Sequence, residues 1–227
     1  MELKALKTRI ITLNEKIEDV LDEYILPEEN TILAITSKLI SFCEGRAVDY
    51  QTDLTEIVHN EADFVINGNE KNSIDTVVNG VPMPNAGIDK SNGNGNIILL
   101  PKSPFESAAN IHAYLIKKFN IENFGVIITD SEVGNFHKGT IGFTLAWAGF
   151  KGYIDYRGTP DLFDRPMTIT ISNIIDKLAS AAVLEMGEGN ECKPFVIVKD
   201  IPFLKFCKTS PSIEDIQLLQ KESLYDS

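Results

Sequence analysis

Three short runs in this chain are almost wholly apolar: Thr31-Ile32-Leu33-Ala34-Ile35-Thr36, Phe124-Gly125-Val126-Ile127-Ile128-Thr129 and Phe195-Val196-Ile197-Val198. None alternates polar with apolar residues, and each is too short for a buried helix, so each reads as a buried strand. The first passes directly into Ser37-Lys38-Leu39-Ile40-Ser41-Phe42-Cys43-Glu44-Gly45, a helical turn or two ending at Gly45. The second is expected to end at Asp130. A chain with such strands must supply helices to cover them.

Helical periodicity is present where it is needed. Ile17, Val20, Leu21 and Tyr24 follow Asn14, a candidate N-cap, and precede Pro27, which predicts a helix over residues 15–24. Ser103-Pro104-Phe105-Glu106 joins an N-cap, a proline at the first helical position and a capping-box glutamate, predicting a helix from Pro104 to Phe119 that buries Ala108, Ile111 and Leu115. Ile175, Leu178, Ala179, Ala182, Val183 and Met186 define a further helix ended by Gly187. Residues 97–100, 141–149 and 168–171 add strand candidates, while 67–96, rich in Asn, Gly, Pro and Asp, reads as short strands around turns. Ser212 and Asp215 open a C-terminal helix carrying Ile213, Ile216 and Leu219. The expected class is α+β, mixed sheets with packed helices, with one unit over 1–208 and a helical tail over 209–227.

Composition narrows the function. The 227 residues are 43% hydrophobic and 24% charged, as in an ordinary globular protein, and the 33 acidic against 21 basic residues leave a net charge of −12. General attraction to nucleic acid or an anionic membrane is disfavoured, so any bound anion needs a local site. No run approaches the roughly 18 apolar residues of a membrane span, and the N-terminal residues alternate charged with apolar, so a cytoplasmic protein is expected. Cys43, Cys192 and Cys207 are odd in number and far apart, which points to reduced thiols, not to a disulfide framework or zinc site.

Three acids stand where elements stop: Asp89 in Gly87-Ile88-Asp89-Lys90-Ser91-Asn92, Asp130 after the most hydrophobic strand, and Glu188 after Gly187. Ligand sites of alternating α/β folds gather beyond the carboxyl ends of strands, which favours Asp130, and hard divalent cations take such oxygen ligands together with phosphates. Equally, an aspartate among glycines and asparagines is a turn former, and an acid after a helix is ordinarily solvated. Thr36-Ser37-Lys38 offers two hydroxyls, an ammonium and free backbone N–H groups at a strand-to-helix junction, either a phosphate cradle or a helix start with a surface lysine. No Walker loop or dinucleotide fingerprint is present. His137 is a lone candidate anion contact, and His59 and His112 lack partners at metal-ligand spacing.

Taken in order, Ile35-Thr36-Ser37-Lys38-Leu39-Ile40-Ser41 with Glu44-Gly45-Arg46, Ala86-Gly87-Ile88-Asp89-Lys90-Ser91-Asn92 and Ile127-Ile128-Thr129-Asp130-Ser131 resemble the GTP-dependent γ-glutamyl ligases that add glutamate to the coenzyme F420 precursor. Gly139, Ala148-Gly149, Leu178-Ala179, Ala181-Ala182, Met186-Gly187-Glu188 and Pro194 continue the likeness, which extends from about Leu3 to Phe206. The resemblance implies that Asp89, Asp130 and Lys38 carry the chemistry. It implies that Ser37, Lys38 and Asn92 contact GTP, bordered by Met186, Gly187, Glu188 and Gly189. Asp89 and Asp130 would hold one Mg2+ or Mn2+, and Ser131 and Glu188 a second, with K+ as a further ion. Two interleaved lobes and an intertwined homodimer are implied as well, and the partners are GTP, L-glutamate and a small-molecule acceptor carboxylate.

The chain also departs from the pattern. Phe42 stands where relatives usually have a second lysine, and Glu132-Val133-Gly134-Asn135 with His137 replaces a Phe-Gly-Arg segment and a further arginine suited to anionic substrate groups. Ala5-Leu6-Lys7-Thr8-Arg9 and Gly93-Asn94-Gly95 resemble a bacterial subgroup suspected of glutamylating folates, which shifts the expected acceptor toward a folate or pteroate. Joining a carboxylate to glutamate through an acyl phosphate needs positioning and charge neutralisation, not a protein nucleophile. The alternative is a non-catalytic nucleotide- or ligand-binding protein on the same fold.

Overall fold

The computed structural model describes residues 1–69, 73–133, 138–208 and 211–212. The three apolar runs lie side by side at the centre of a five-stranded sheet. They are β12 (Phe195–Lys199), β2 (Thr31–Thr36) and β8 (Phe124–Val133); β1 (Glu2–Leu6) flanks β12 and β9 (Thr140–Ala148) flanks β8. Only β2 and β8 run parallel, in register from Thr31↔Phe124 to Thr36↔Thr129, and the other pairings are antiparallel.

Both faces of the central strands are dry, which is why those runs are continuous in sequence. Leu33, Ile35, Val126, Ile128 and Phe195 join one core with Val20 and Leu21 of α1 (Ile17–Tyr24), Leu39 and Ile40 of α2 (Ser37–Cys43), and Ala108, Ile111 and Leu115 of α4 (Pro104–Phe119). Their alternates Ile32, Ala34, Ile127 and Val196 meet Ile175, Leu178, Ala179 and Ala182 of α5 (Ile174–Met186) on the other face. Full burial of each such aliphatic side chain is worth roughly 1.5–3 kcal/mol.

Three smaller sheets complete the fold. They are β3 (Ala47–Asp49) with β7 (Asn96–Ile98); β4 (Phe64–Asn69), β5 (Ser73–Val78) and β6 (Val81–Pro84); and β10 (Tyr153–Asp155) with β11 (Ile171–Asn173). Ile74, Val78 and Met83 belong to the same core as the central strands, and Val58 of α3 (Leu54–Glu61) joins them. Mixed sheets and packed helices agree with the expected α+β class.

Several local expectations change. Helix α1 begins after Lys16; Asn14 does not cap it but takes a left-handed conformation, its N–H donating to the Phe42 carbonyl at 2.9 Å. Ser103 precedes α4 without a capping bond from its hydroxyl. The Glu44 carboxylate instead accepts from Lys102 N–H at 2.9 Å and the Ser107 hydroxyl at 2.7 Å beside that helix start. Strand β8 does not stop at Asp130: a hairpin partner, β9, carries it to Val133 through a register shift at Ile128/Thr129. Residues 168–170 are not strand: the regular ladder of this arm ends at the Asp155↔Ile171 pair, and beyond it only separate bonds join the two legs, Tyr156 N–H to the Thr170 carbonyl at 3.0 Å and Gly158 N–H to the Met167 carbonyl at 2.8 Å.

Strand β1 was not expected; its alternation of charged and apolar residues is that of a sheet edge. The C-terminal helix expected after Ser212 lies outside the described residues, as do Asn135 and His137. Among the described residues no helix is long and apolar enough to cross a membrane.

Candidate active site

At the carboxyl end of the parallel pair β2/β8 opens a cavity of about 740 Å³. Thr36, Lys38, Thr129, Asp130 and Ser131 line it from the sheet end, Asp89 and Ser91 to Asn94 from the loop before β7, and Met186 to Pro194 from the turn after α5. Residues Thr8–Leu13 close a further side. Asp130 sits one position past the last parallel pair, Thr36↔Thr129, where the backbone of β8 has lost its β2 neighbour.

One bank of the cavity is built on Lys38. Its ammonium lies 2.5 Å from Asp89 Oδ2 and donates to the Ser91 carbonyl at 3.1 Å and the Ser91 hydroxyl at 3.0 Å. Asp89 is fixed in turn by a two-way backbone bridge to Ile98 and by accepting the Ser91 N–H at 2.6 Å. Burial alone would raise the Asp89 carboxyl, but Lys38 and Ser91 outweigh it and hold the group below its ordinary value.

Asp130 is the opposite case. Its carboxyl is enclosed by protein except toward the cavity, and burial together with the Asp89 charge pushes it up to about 7, against the Ser131 N–H, Lys38 and the Ser37 hydroxyl. Lys38 is already engaged by Asp89, so Asp130 has no cation of its own. Two carboxylates near a single ammonium that pairs with only one of them, with hydroxyls beside them, form an oxygen donor set suited to a hard divalent cation. The residues therefore fit the metal that the resemblance implies at Asp89 and Asp130.

The second bank centres on Glu188, which accepts the Ser131 hydroxyl at 3.0 Å and the Thr140 hydroxyl at 3.1 Å. A close helix–strand approach puts it there. A Cβ on Gly142 of β9 would stand 2.7 Å from Val183 and 2.9 Å from the Ala179 carbonyl, so only glycine lets α5 settle so near. Ser180 locks the approach by donating to the Gly142 carbonyl at 2.6 Å. Gly187, at φ 80°, then turns the chain back over β8. The Asn92 amide donates to the Gly189 carbonyl at 3.1 Å and ties the two loops together.

Of the residues singled out in the sequence, Lys38, Asp89, Asn92, Asp130, Ser131, Met186, Gly187, Glu188 and Gly189 all line this one cavity. Ser37 does not: it is 4% exposed, and its hydroxyl supports Asp130 from behind. Phe42 lies on the cavity wall. Among the described residues no three His, Cys, Asp or Glu side chains converge as a ready metal cluster, and the acids divide between the two banks. Thr140 and the segment Thr8–Leu13 were not read as site residues. Thr140 had only its position beside the Gly139 of the resemblance, whereas Thr8 and Arg9 belong to the stretch Ala5–Arg9 that resembles the bacterial subgroup, a signal that pointed to the acceptor and not to a cavity wall.

Fold and pocket together define an α+β protein with a carboxylate- and lysine-lined cavity at the carboxyl end of a parallel strand pair. The chain belongs to the F420-0:gamma-glutamyl ligase family, whose pattern matches residues 5–200 and so takes in both banks. The coenzyme F420:L-glutamate ligase of Methanocaldococcus jannaschii is 32% identical over 196 residues, covering 78% of each chain. That of Methanococcus maripaludis (strain C6) is 28% identical over 222 residues, 89% of each. The Halobacterium salinarum (strain R1) protein of the same name is 40% identical over 120 residues, 52% of this chain but 46% of that one, so the match spans about half of that relative.

Proposed function

We propose that this protein is a GTP- and divalent-metal-dependent ligase that joins L-glutamate to an acceptor carboxylate through a γ-glutamyl-type amide bond. The observation that carries the reading is the pair of carboxylates beside one ammonium: Lys38 is paired with Asp89, and Asp130, close enough to feel both charges, has no cation of its own. Such a site gains most from a ligand that brings its own cations, as a metal-bound nucleotide does. Family membership supplies the glutamate and the amide bond.

In this reading the acceptor carboxylate takes the γ-phosphoryl group of GTP, giving an acyl phosphate and GDP. The glutamate amine then attacks the acyl carbon and phosphate leaves. Mg2+ or Mn2+ at Asp89 and Asp130, with a second ion at Ser131 and Glu188, supplies charge neutralisation when bound. Lys38 orients the phosphates as a point charge, Asn92 holds the loop that covers them, and Ser37 keeps the Asp130 carboxylate aimed inward.

The acceptor we propose is a folate or pteroate, supported by the likeness of Ala5-Leu6-Lys7-Thr8-Arg9 and Gly93-Asn94-Gly95 to the bacterial subgroup and by apolar wall residues such as Leu39, Phe42 and Val183. The test incubates the protein with GTP, Mg2+ or Mn2+, glutamate and a panel of dihydropteroate, folates and the deazaflavin precursor, reading added glutamate by mass. GDP release that needs both glutamate and acceptor supports the ligase, and unchanged masses across the panel overturn it. Phe42 on the wall removes a cation that relatives place there, which favours a non-catalytic binder as the second reading; tight GTP binding without turnover would establish that one.

A homodimer belongs to the same proposal. The two-stranded arm over residues 153–173 ends in a turn held by Asp161, which accepts from the N–H groups of Phe163 and Arg165, and it presents Leu162 at 96% and Phe163 at 78% exposure. Such apolar tips are interface material. Sedimentation should give a dimer that Leu162→Asp with Phe163→Asp weakens; an unmodified protein sedimenting as a monomer would refute it.

A further inference from the structure

The cavity wall formed by Thr8–Leu13 has neither helix nor strand to order it. Its ends are tied: Thr8 N–H donates to the Cys192 carbonyl at 3.0 Å, and Asn14 N–H to the Phe42 carbonyl at 2.9 Å. Between these ties the segment is spanned by side chains. The Arg9 guanidinium grips Glu15 with two bonds, 3.0 and 2.6 Å, and reaches Glu23 at 3.2 Å. Glu15 Oε1 also accepts the Thr12 N–H at 2.5 Å and the Thr12 hydroxyl at 2.8 Å, while the Arg9 N–H donates to the Tyr24 hydroxyl at 3.0 Å.

This is more than a surface ion pair. An isolated exposed pair is worth little, but here a bidentate fork and two further acceptor bonds close a ring across Arg9, Thr12 and Glu15, anchored on α1 through Glu23 and Tyr24. Glu15 is held down to about 2, first by the Arg9 bonds and then by the Thr12 N–H, so the ring stays charged at any working pH. Ile11, 8% exposed, is pinned inward while Ile10, 81% exposed, is left out.

We propose that Arg9 is a positioning residue for the nucleotide: its fork to Glu15 holds Thr8–Leu13 in the conformation that completes the cavity wall. This rests on the functional reading above. Arg9 does not touch the reacting atoms, so its loss weakens binding without slowing the chemistry at saturation. Lysine at this position keeps the charge but not the two-pronged grip and restores only part of the effect.

The experiment compares the unmodified protein with Arg9→Ala, Arg9→Lys and Glu15→Gln in two measurements. Amide hydrogen exchange of residues 10–13 should quicken about tenfold in Arg9→Ala and less in Arg9→Lys, with the sheet amides unchanged, since local opening is governed by local contacts. The dissociation constant for Mg-GTP should rise about tenfold, with kcat within about twofold, the pattern of lost uniform binding. Unchanged exchange overturns the clasp, and quicker exchange with unaltered GTP affinity overturns its positioning role. An unmodified protein that binds no GTP overturns both the functional reading and the positioning role, and the exchange comparison alone then decides whether the clasp orders the segment.

Discussion

The two banks of the cavity carry similar acids in different surroundings. On the Lys38 bank Asp89 has a cation at 2.5 Å and is stabilised in its charged form, while Asp130 beside it is pushed up to about 7. On the other bank Glu188 is met by neutral hydroxyls, Ser131 at 3.0 Å and Thr140 at 3.1 Å. Under the proposed function, the Lys38 bank would respond to a cation or anion entering the pocket. The Glu188 bank presents a carboxylate supported by two hydroxyls. A fold can thus set different tasks for like residues through what surrounds them.

The largest effect should come from breaking the Lys38 bank. Asp130→Asn removes the carboxylate without its volume and should lower metal-dependent GTP turnover by about 10³-fold, the scale of several kcal/mol of transition-state charge stabilisation. Circular dichroism should remain that of a folded protein. Lys38→Met frees Asp89 from its partner and should cost about 10²–10³-fold. Retention of most activity in either variant would place the chemistry elsewhere.

The Glu188 bank should give a smaller effect. Ser131→Ala removes one hydroxyl from a carboxylate that keeps Thr140, and should raise the metal concentration needed for half-maximal activity by roughly 10–100-fold, as loss of a supporting contact does. Titrating Mg2+ against GDP release measures it. Equal loss in Ser131→Ala and Asp130→Asn would erase the distinction between the banks.

How much of this was legible in the chain follows from the kind of force involved. The central strands were, because burial on both faces writes itself as unbroken apolar residues, and α4 was, because Pro104 and a 3.6-residue period mark it. Strand β1 was not, since an edge strand alternates charge with apolar residues and looks like a solvated terminus. At the site, residue types alone left Asp89, Asp130 and Glu188 open to being turn formers or surface acids; only resemblance joined them. That Ser37 faces Asp130 and not the cavity depends on the rotation of a short helix. The Arg9–Glu15–Thr12 ring leaves no periodic trace, because it orders an irregular segment through side-chain geometry.

The smallest effect tests the Asp130 environment in the absence of added ions. Its carboxyl moves from an ordinary 3.8 to about 7 on folding. Between those values the folded protein holds a proton that the unfolded chain has released, so this group's contribution to stability falls as pH rises from about 4 to 7. Asp89, held below its ordinary value, contributes stability that is lost only as pH falls beneath that range. Glu132, raised by burial and by Asp176, acts with the same sign as Asp130, whereas His112, lowered by burial near the Phe124 carbonyl, acts against it. The difference between unmodified protein and Asp130→Asn isolates the one group. In a chelator, the unmodified protein should lose melting temperature relative to the variant as pH rises from about 4 to 7, each kcal/mol showing as roughly 2–4 °C. Adding Mg2+ should remove that loss, because the ion supplies the charge that the proton otherwise supplies. A pH-independent difference would mean that Asp130 is solvated, and would remove the contrast with Asp89 beside it.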